Sequence, residues 1–452
     1  MPHRKFEKWF HFFFVEQSQL FVLSPDCIAP YLEQPAVLSC LVGDFLQQLY
    51  HYRCVGPLIL ALSLMLTGFV IYKALTMAGR FRKGWKAALC FAAALVAMTL
   101  EARLFLYENA HLSSLLSLLG GCSMWMACDS IKGKWSRFVT LPLGGALCYI
   151  LFGYGLLAML LMELCAAALR RRVPYEGAVA VAIFAMAFVP VRKAYRLEAK
   201  VALLYPGAGL WVDYTKSRGV EDLLYYDVEY YAGNYLQLVH NFETSKNPKT
   251  KEMTFFYALG AAHLGQLPDK LPKMKKPMLG TFSHVDETSP LFFIRMMGEL
   301  YYAVGDMTYS ERFFMHANSF TPGKRSARLI QRLVEINLIT ENYDVAQKYC
   351  GMLAKSVVYK KWAKDHDPSS MSPEVLAEVE RKRQYINTID EIHIGENGYS
   401  ILTGLLDSNK DNIMALDYLL CSDIVAGQKA MYYKDYEKYG PRDKSLYRRV
   451  MR

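Results

Sequence analysis

What this sequence lacks narrows it first. It has no H-E-x-x-H, no phosphate-binding P-loop, no G-x-S-x-G and no dinucleotide-binding fingerprint. Its ten histidines are scattered with no i, i+4 pair, and its ten cysteines contain no C-x-x-C. Compact zinc sites and thioredoxin-like chemistry have no foothold, so no metal and no cofactor is expected. No RNA- or DNA-binding signature accompanies the formal charge of +10, and no nucleic-acid partner is expected. Such an excess belongs in the cytoplasmic loops of a membrane protein.

Charge itself is unevenly spread. Residues 56–191 are nearly continuous apolar sequence, while residues 192–452 hold most of the charge. Five cysteines, Cys90, Cys122, Cys128, Cys148 and Cys165, lie in or beside the apolar runs, where cysteine acts as a small hydrophobe. Cys27, Cys40 and Cys54 fall in the first polar loop. A Cys27–Cys40 or Cys40–Cys54 bridge is open to them if that loop is extracytoplasmic. The start, "MPHRKFEKWFHFFFVEQSQLFVL", has a basic end and an apolar stretch but no small-x-small cleavage site. It reads as a short first span or an interfacial helix.

A crossing needs roughly 20 apolar residues. Residues 56–75 and 86–107 meet this, and 112–128 and 175–191 are shorter. Residues 138–170 are too long for one upright helix and short for two. Charge decides. Lys and Arg gather at 1–9, 78–86 and 129–137, and the loops between carry only Arg53. The positive-inside rule therefore puts 78–86 and 129–137 in the cytoplasm. A hairpin broken at Gly153-Tyr154-Gly155 returns Arg170–Arg172 to that side and places the tail outside. A single span would put the tail in the cytoplasm, and Arg192, Lys193, Arg196 and Lys200 favour that alternative. The balance of charge favours the hairpin.

The tail repeats itself. Turn signals at Gly233, Gly265, Gly305 and Glu341 each separate two helix-like runs, and Gly427 marks a later one. In the best alignment Glu299 matches Glu335 and Gly305 matches Glu341. Such spacing suits tetratricopeptide-like hairpins, which bury their apolar faces only by stacking. The expected fold is all-α, with a multi-pass transmembrane helix bundle followed by a tetratricopeptide-like helical-hairpin domain. Residues 1–55 form a first helix and outer loop, 56–191 the bundle and 192–452 the soluble repeats. The Pro- and Lys-rich stretch 268–277 is a polar insertion within the repeats.

Four segments carry a family resemblance: "EQSQLFVLSPDCIAPYLEQP", "DFLQQLYHY", "RLIQRLVEINLITENYDVAQKYCGMLAKSVVYKKWA" and "DNIMALDYLLC". With them the chain resembles a domain-of-unknown-function family of multi-pass membrane proteins with a helical-repeat tail from Bacteroides-like bacteria. The resemblance implies no known reaction. It implies relatives longer at both ends, so that this chain starts inside its first span and stops before its last repeats. It also implies glycines after Gln34-Pro35, where Ala36 and Val37 stand here.

Two functional readings follow. In the first, the protein sits in the membrane lipid and its tail binds a partner protein or an envelope glycan. Arg325, Arg328, Arg332 and Glu335 would form one polar stripe beside the buried Leu329, Leu333 and Ile336, on the helix face that lines a solenoid's inner surface. A plainer reading is a solvated face with internal salt bridges. In the second, the chain is a membrane enzyme resembling glycosyltransferases that use polyprenyl-linked sugars. Glu16 or Asp26, flanking the first outer loop, would then be the catalytic carboxylate; the plainer roles are interfacial charge and turn residue. Glu101, Arg103 and Glu163 lie within apolar runs, where charge is costly, but they are too few for a transport path. The tyrosine pairs at 225–226, 230–231 and 301–302 read as hairpin packing rather than a sugar platform.

Overall fold

The computed structural model describes residues 9–81, 84–105, 111–131, 134–170, 185, 188–207, 220–271, 289–321, 325–387 and 398–440. These form 23 helices, one of them a 3-10 turn at Gln48–His51, and no strand. Two compact units emerge: residues 1–16 with 21–217, and residues 17–20 with 218–452.

The first unit contains α1 (Trp9–Gln17, whose last residue belongs to the second unit), α2 (Pro25–Leu32), α3 (Val37–Gln47), α4 (Val55–Gly79), α5 (Trp85–Phe105), α6 (Leu112–Ser130), α7 (Lys134–Phe152), α8 (Gly155–Leu169) and α9 (Ala199–Leu204). Helices α4 and α5 are long and apolar enough to cross a membrane, and α7 and α8 are shorter apolar helices. The segment 138–170 is therefore two helices, broken at Gly153 with φ +53°. The last apolar run, 175–191, lies largely outside the described residues, as do Arg171 and Arg172.

The core of this unit is built on close approach. Helix α8 packs on α4 and α6. Gly121 of α6 lies so near the Gly155 carbonyl of α8 that a Cβ would overlap it. Trp125 Nε1 donates to buried Glu163 at 2.9 Å, and Arg170 forks onto Asp129 at 2.9 Å while donating to the Met77 and Ala78 carbonyls. Residues past the apolar run still fold here. Ala202 of α9 packs with Tyr149, Leu156 and Phe188, and Tyr149 donates to its carbonyl.

Ala36, where the resemblance implies glycine, adopts φ +64° and is fully buried. The left-handed turn survives without glycine, at a backbone cost of about 1–2 kcal/mol. All ten cysteines are free thiols. The bridges left open among Cys27, Cys40 and Cys54 do not form: Cys27 and Cys40 are each buried among side chains and Cys54 is exposed.

The second unit is a set of helical hairpins. They are α10 (Val220–Tyr231) with α11 (Tyr235–Thr244), α12 (Lys251–His263) with α13 (Leu267–Lys270), α14 (Leu291–Val304) with α15 (Met307–Phe320), and α16 (Ala327–Ile339) with α17 (Tyr343–Ala354). Then come α18 (Lys360–Asp365), α19 (Pro373–Arg383), α20 (Gly398–Ser408), α21 (Ile413–Val425) and α22 (Lys429–Tyr439). All five expected turn residues, Gly233, Gly265, Gly305, Glu341 and Gly427, have positive φ. At the fourth turn the left-handed residue is Glu341, with Asn342 capping the next helix at φ −80°. Side chains of Thr250, Asp306, Ser326, Ser372 and Asn412 cap the helices that follow them, which fixes where each begins.

Leu329, Leu333, Ile336 and Leu353 are buried as their spacing requires, and Tyr349 is half-buried. The stack is not simply linear, however. Helix α21 packs on α12, α13 and α14, so the C-terminal hairpin returns to the earlier ones and shares their core. Residues 17–20 also belong to this unit: Leu20 N–H donates to the Arg325 carbonyl at 3.0 Å, and the Ser326 hydroxyl to the Gln17 carbonyl at 2.7 Å. Most of the Pro/Lys insertion lies outside the described residues.

Candidate functional site

Three helices supply a buried ladder of alternating charge. Along α14, Arg295, Glu299 and Tyr302 follow at i, i+4 and i+7; along α16, Arg328, Arg332 and Glu335 do the same. Both spacings place three side chains on one helix face. Helix α10 adds Asp227 and Tyr231. Asp227 Oδ2 receives Arg295 at 3.0 Å and Arg328 at 2.8 Å. Arg328 also reaches Glu299 at 2.9 Å, Arg332 bridges Glu299 at 3.1 Å and Glu335 at 2.7 Å, and Tyr302 donates to Glu335 at 2.9 Å. Three arginines thus meet three carboxylates and the ladder is neutral. Tyr231 lies under both Arg328 and Arg332, and Tyr302 under Arg332.

The plainer reading of the stripe, a solvated face with internal salt bridges, holds for the Arg332–Glu335 bridge and not for exposure. Arg328 is 2 % exposed and committed to two carboxylates. Arg325 precedes the helix, which begins at Ala327 behind its Ser326 cap, and its side chain is half-buried. Of the three arginines expected to bind a partner, Arg332 lines the cavity described next, and Arg325 and Arg328 are not in its lining.

That cavity, about 570 Å³, opens above the ladder's Glu335 end. Such a volume suits a small-molecule or oligomer subsite of roughly 300–1,000 Å³. One wall is the Tyr235–His263 stack, with ring centroids 4.3 Å apart and planes within 3° of parallel; Tyr230 bonds the His263 ring at 3.2 Å. Tyr302, Glu335 and His366 form another part, and α19 brings Glu378, Arg381 and Lys382.

Electrostatics follow from burial and neighbours. Burial raises the Glu299 carboxyl, but Arg332 and Arg328 outweigh it and hold the group at about 2. Glu335 is likewise lowered, burial being outweighed by Arg332 and Lys382. Burial, then Lys382 and Arg332, push His263 down to about 3, so its ring is neutral. Lys382 lies 3.3 Å from the Tyr302 ring centroid, half-buried. Burial and Arg332 lower its ammonium to about 7, against the opposing pull of Glu335, Glu378 and Glu299.

The two acidic candidates fall in different surroundings. Glu16 is 1 % exposed on α1, with His51 Nδ1 at 3.9 Å. Asp26 is exposed in the first turn of α2, where its charge suits the helix N-terminus. A carboxylate missed by the sequence reading, Asp44 of α3, accepts from Tyr31 at 2.7 Å in the same unit. Asp227 and Lys382 were also missed, because Asp227 lies far along the chain from the arginines it meets and Lys382 from the Tyr302 ring. The shared i, i+4, i+7 pattern on α14 and α16 was the available signal. Among the described residues no cluster of His, Cys, Asp or Glu is arranged to hold a metal ion.

These observations define an all-helical protein with a neutral charge ladder beneath an aromatic-walled cavity. The chain belongs to the family of unknown function DUF6057, whose model matches residues 6–449. No curated protein and no solved structure matches it.

Proposed function

We propose that this protein is a multi-pass bacterial inner-membrane protein whose helical-repeat tail, tetratricopeptide-like in its hairpins, binds an envelope glycan on the periplasmic side. The membrane part of the reading is supported by exposed apolar side chains on four helices. Leu58, Leu62 and Phe69 on α4, Phe91 and Val96 on α5, Val139 and Leu143 on α7, and Leu161 on α8 all face outward. So much apolar surface needs a non-aqueous neighbour. Two candidate spans, two shorter apolar helices and the alternation of basic loops support reading this unit as a bundle.

The observation that carries the binding part is the cavity wall. Flat rings of Tyr235 and His263 offer C–H-compatible faces to a pyranose, and Glu335 and Glu378 sit among them to meet hydroxyls. The aliphatic lining is confined to Ile339, Val375 and Val379, and the rest of the apolar surface is aromatic ring, which suits a sugar face better than the aliphatic side chains of a peptide. Arg332 and Glu335 bond each other, which suits a rigid wall better than a reacting pair.

The test is calorimetric titration of the detergent-solubilised full chain with tetrasaccharides of common pyranoses. Binding should appear for part of the panel and weaken about tenfold in Tyr235→Ala, the loss of one stacking face at ~1.4 kcal/mol. No binding across the panel contradicts the reading.

A further inference from the structure

The charges of the ladder and of the Arg381–Glu378 pair match, and two charged groups of the cavity lining, Lys382 and the solvent-exposed Glu374, have no ion pair among the described residues. Arg295, Arg328 and Arg332 are matched by Asp227, Glu299 and Glu335, and Arg381 is matched by Glu378 at 2.7 Å. Lys382 has no ion pair among the described residues; its ammonium rests on the Tyr302 ring and faces the cavity. An ammonium held there without a partner is an electrostatic vacancy for a negative group.

Resting on the glycan reading above, we infer that Lys382 is the anchor for a carboxylate on that glycan, so that the cavity selects hexuronic acids over neutral hexoses. A monoanion fits better than a phosphate. One cation set beside Glu335 and Glu378 cannot balance a dianion, which those carboxylates would repel.

Binding should then follow the protonation of Lys382. The groups around it are Glu299 and Tyr302 on α14, Arg332 and Glu335 on α16, His263 on α12, His366 beyond α18, and Glu374, Glu378 and Arg381 on its own helix. Glu299, Glu335 and the two arginines keep their charge throughout the neutral range, and both His263 and His366 are shifted down, toward the neutral form. Lys382, at about 7, is the group left to change. The bound carboxylate favours the charged amine and raises its pKa. Affinity is therefore full below pH 7 and falls as pH rises through it, about tenfold between pH 6 and pH 8.

The experiment titrates the full chain with matched tetrasaccharides, hexose against hexuronic acid, at pH 6, 7 and 8. Wild type should prefer the acidic sugar at pH 6 and lose about tenfold in affinity for it by pH 8. Lys382→Met should bind both sugars alike. Lys382→Arg, always charged, should keep the preference with a flat pH profile. Equal binding of both sugars by wild type, or an acidic preference that survives in Lys382→Met, overturns the assignment of Lys382 while leaving the glycan reading standing. Failure of every sugar to bind wild type contradicts the glycan reading itself, and this inference with it.

Discussion

Arg328 on α16 meets Asp227 on α10 at 2.8 Å, across 101 residues of sequence, with both side chains removed from solvent. Burying two charges is costly, and the cost is met only while each stays paired. Removing Arg328 strands Asp227 beside Arg295 alone and takes one of two arginines from Glu299. Arg328→Ala should therefore lower stability by about 3–5 kcal/mol. Leu333→Ala, a cavity in the same helix, should cost ~2–5 kcal/mol. Denaturant unfolding of the full chain should show the two comparably harmful. An Arg328→Ala effect near the ~0–1 kcal/mol of an exposed pair would mean the ladder is not buried in solution.

Acid should loosen the second unit through Glu299. Its folded carboxyl titrates at about 2, below the roughly 4.3 of an unfolded glutamate. A depressed pKa contributes stability that is present above the unfolded value and lost as pH falls through the folded one. Melts between pH 5 and pH 2 should show a steep loss in wild type. Glu299→Gln should start lower and lose less over the same window. Equal slopes in both proteins would remove Glu299 from the account of acid sensitivity.

Two turn glycines should respond unequally to alanine. Gly265 has φ +64° and nothing near the position of a Cβ, so Gly265→Ala meets only the left-handed penalty of about 1–2 kcal/mol. Gly305 has φ +98°, and a Cβ there would lie 2.5 Å from the Tyr385 carbonyl. Gly305→Ala adds a backbone clash and should lower the melting temperature further. Equal shifts would show that the 385 segment yields easily.

In the first unit, Gly121→Ala should force α6 away from α8, because the new Cβ overlaps the Gly155 carbonyl. Overpacking against backbone costs ~1–3 kcal/mol. Limited proteolysis of the full chain should cut faster within residues 112–169 in the variant. An unchanged cleavage rate would contradict the close approach of these helices.

Much of the helical layout was legible in sequence, and the reasons are local. Gly233, Gly265, Gly305 and Gly427 announce left-handed turns, and the α16 leucine spacing announces a buried face. The hairpin at Gly153 was legible only because charge and glycine agreed. What the sequence hid was long-range. Arg328 and Arg332 look like a solvated stripe until Asp227 and Glu299 arrive from other helices, and nothing near Lys382 says that it will lie on Tyr302. The return of α21 to α12–α14 was hidden for the same reason: an apolar helix shows that it must be covered, not by what. Residues 17–20 were read as part of a membrane segment, yet their backbone groups bond to residues 325–327.

The most direct measurement places a photo-reactive phenylalanine analogue at Val375, a half-buried residue of the cavity wall, in the full chain in its native membrane. Irradiation is expected to give an adduct that periodate or glycosidase removes and protease treatment of the partner does not. An adduct made of protein, or no adduct from this position, contradicts a glycan in the cavity.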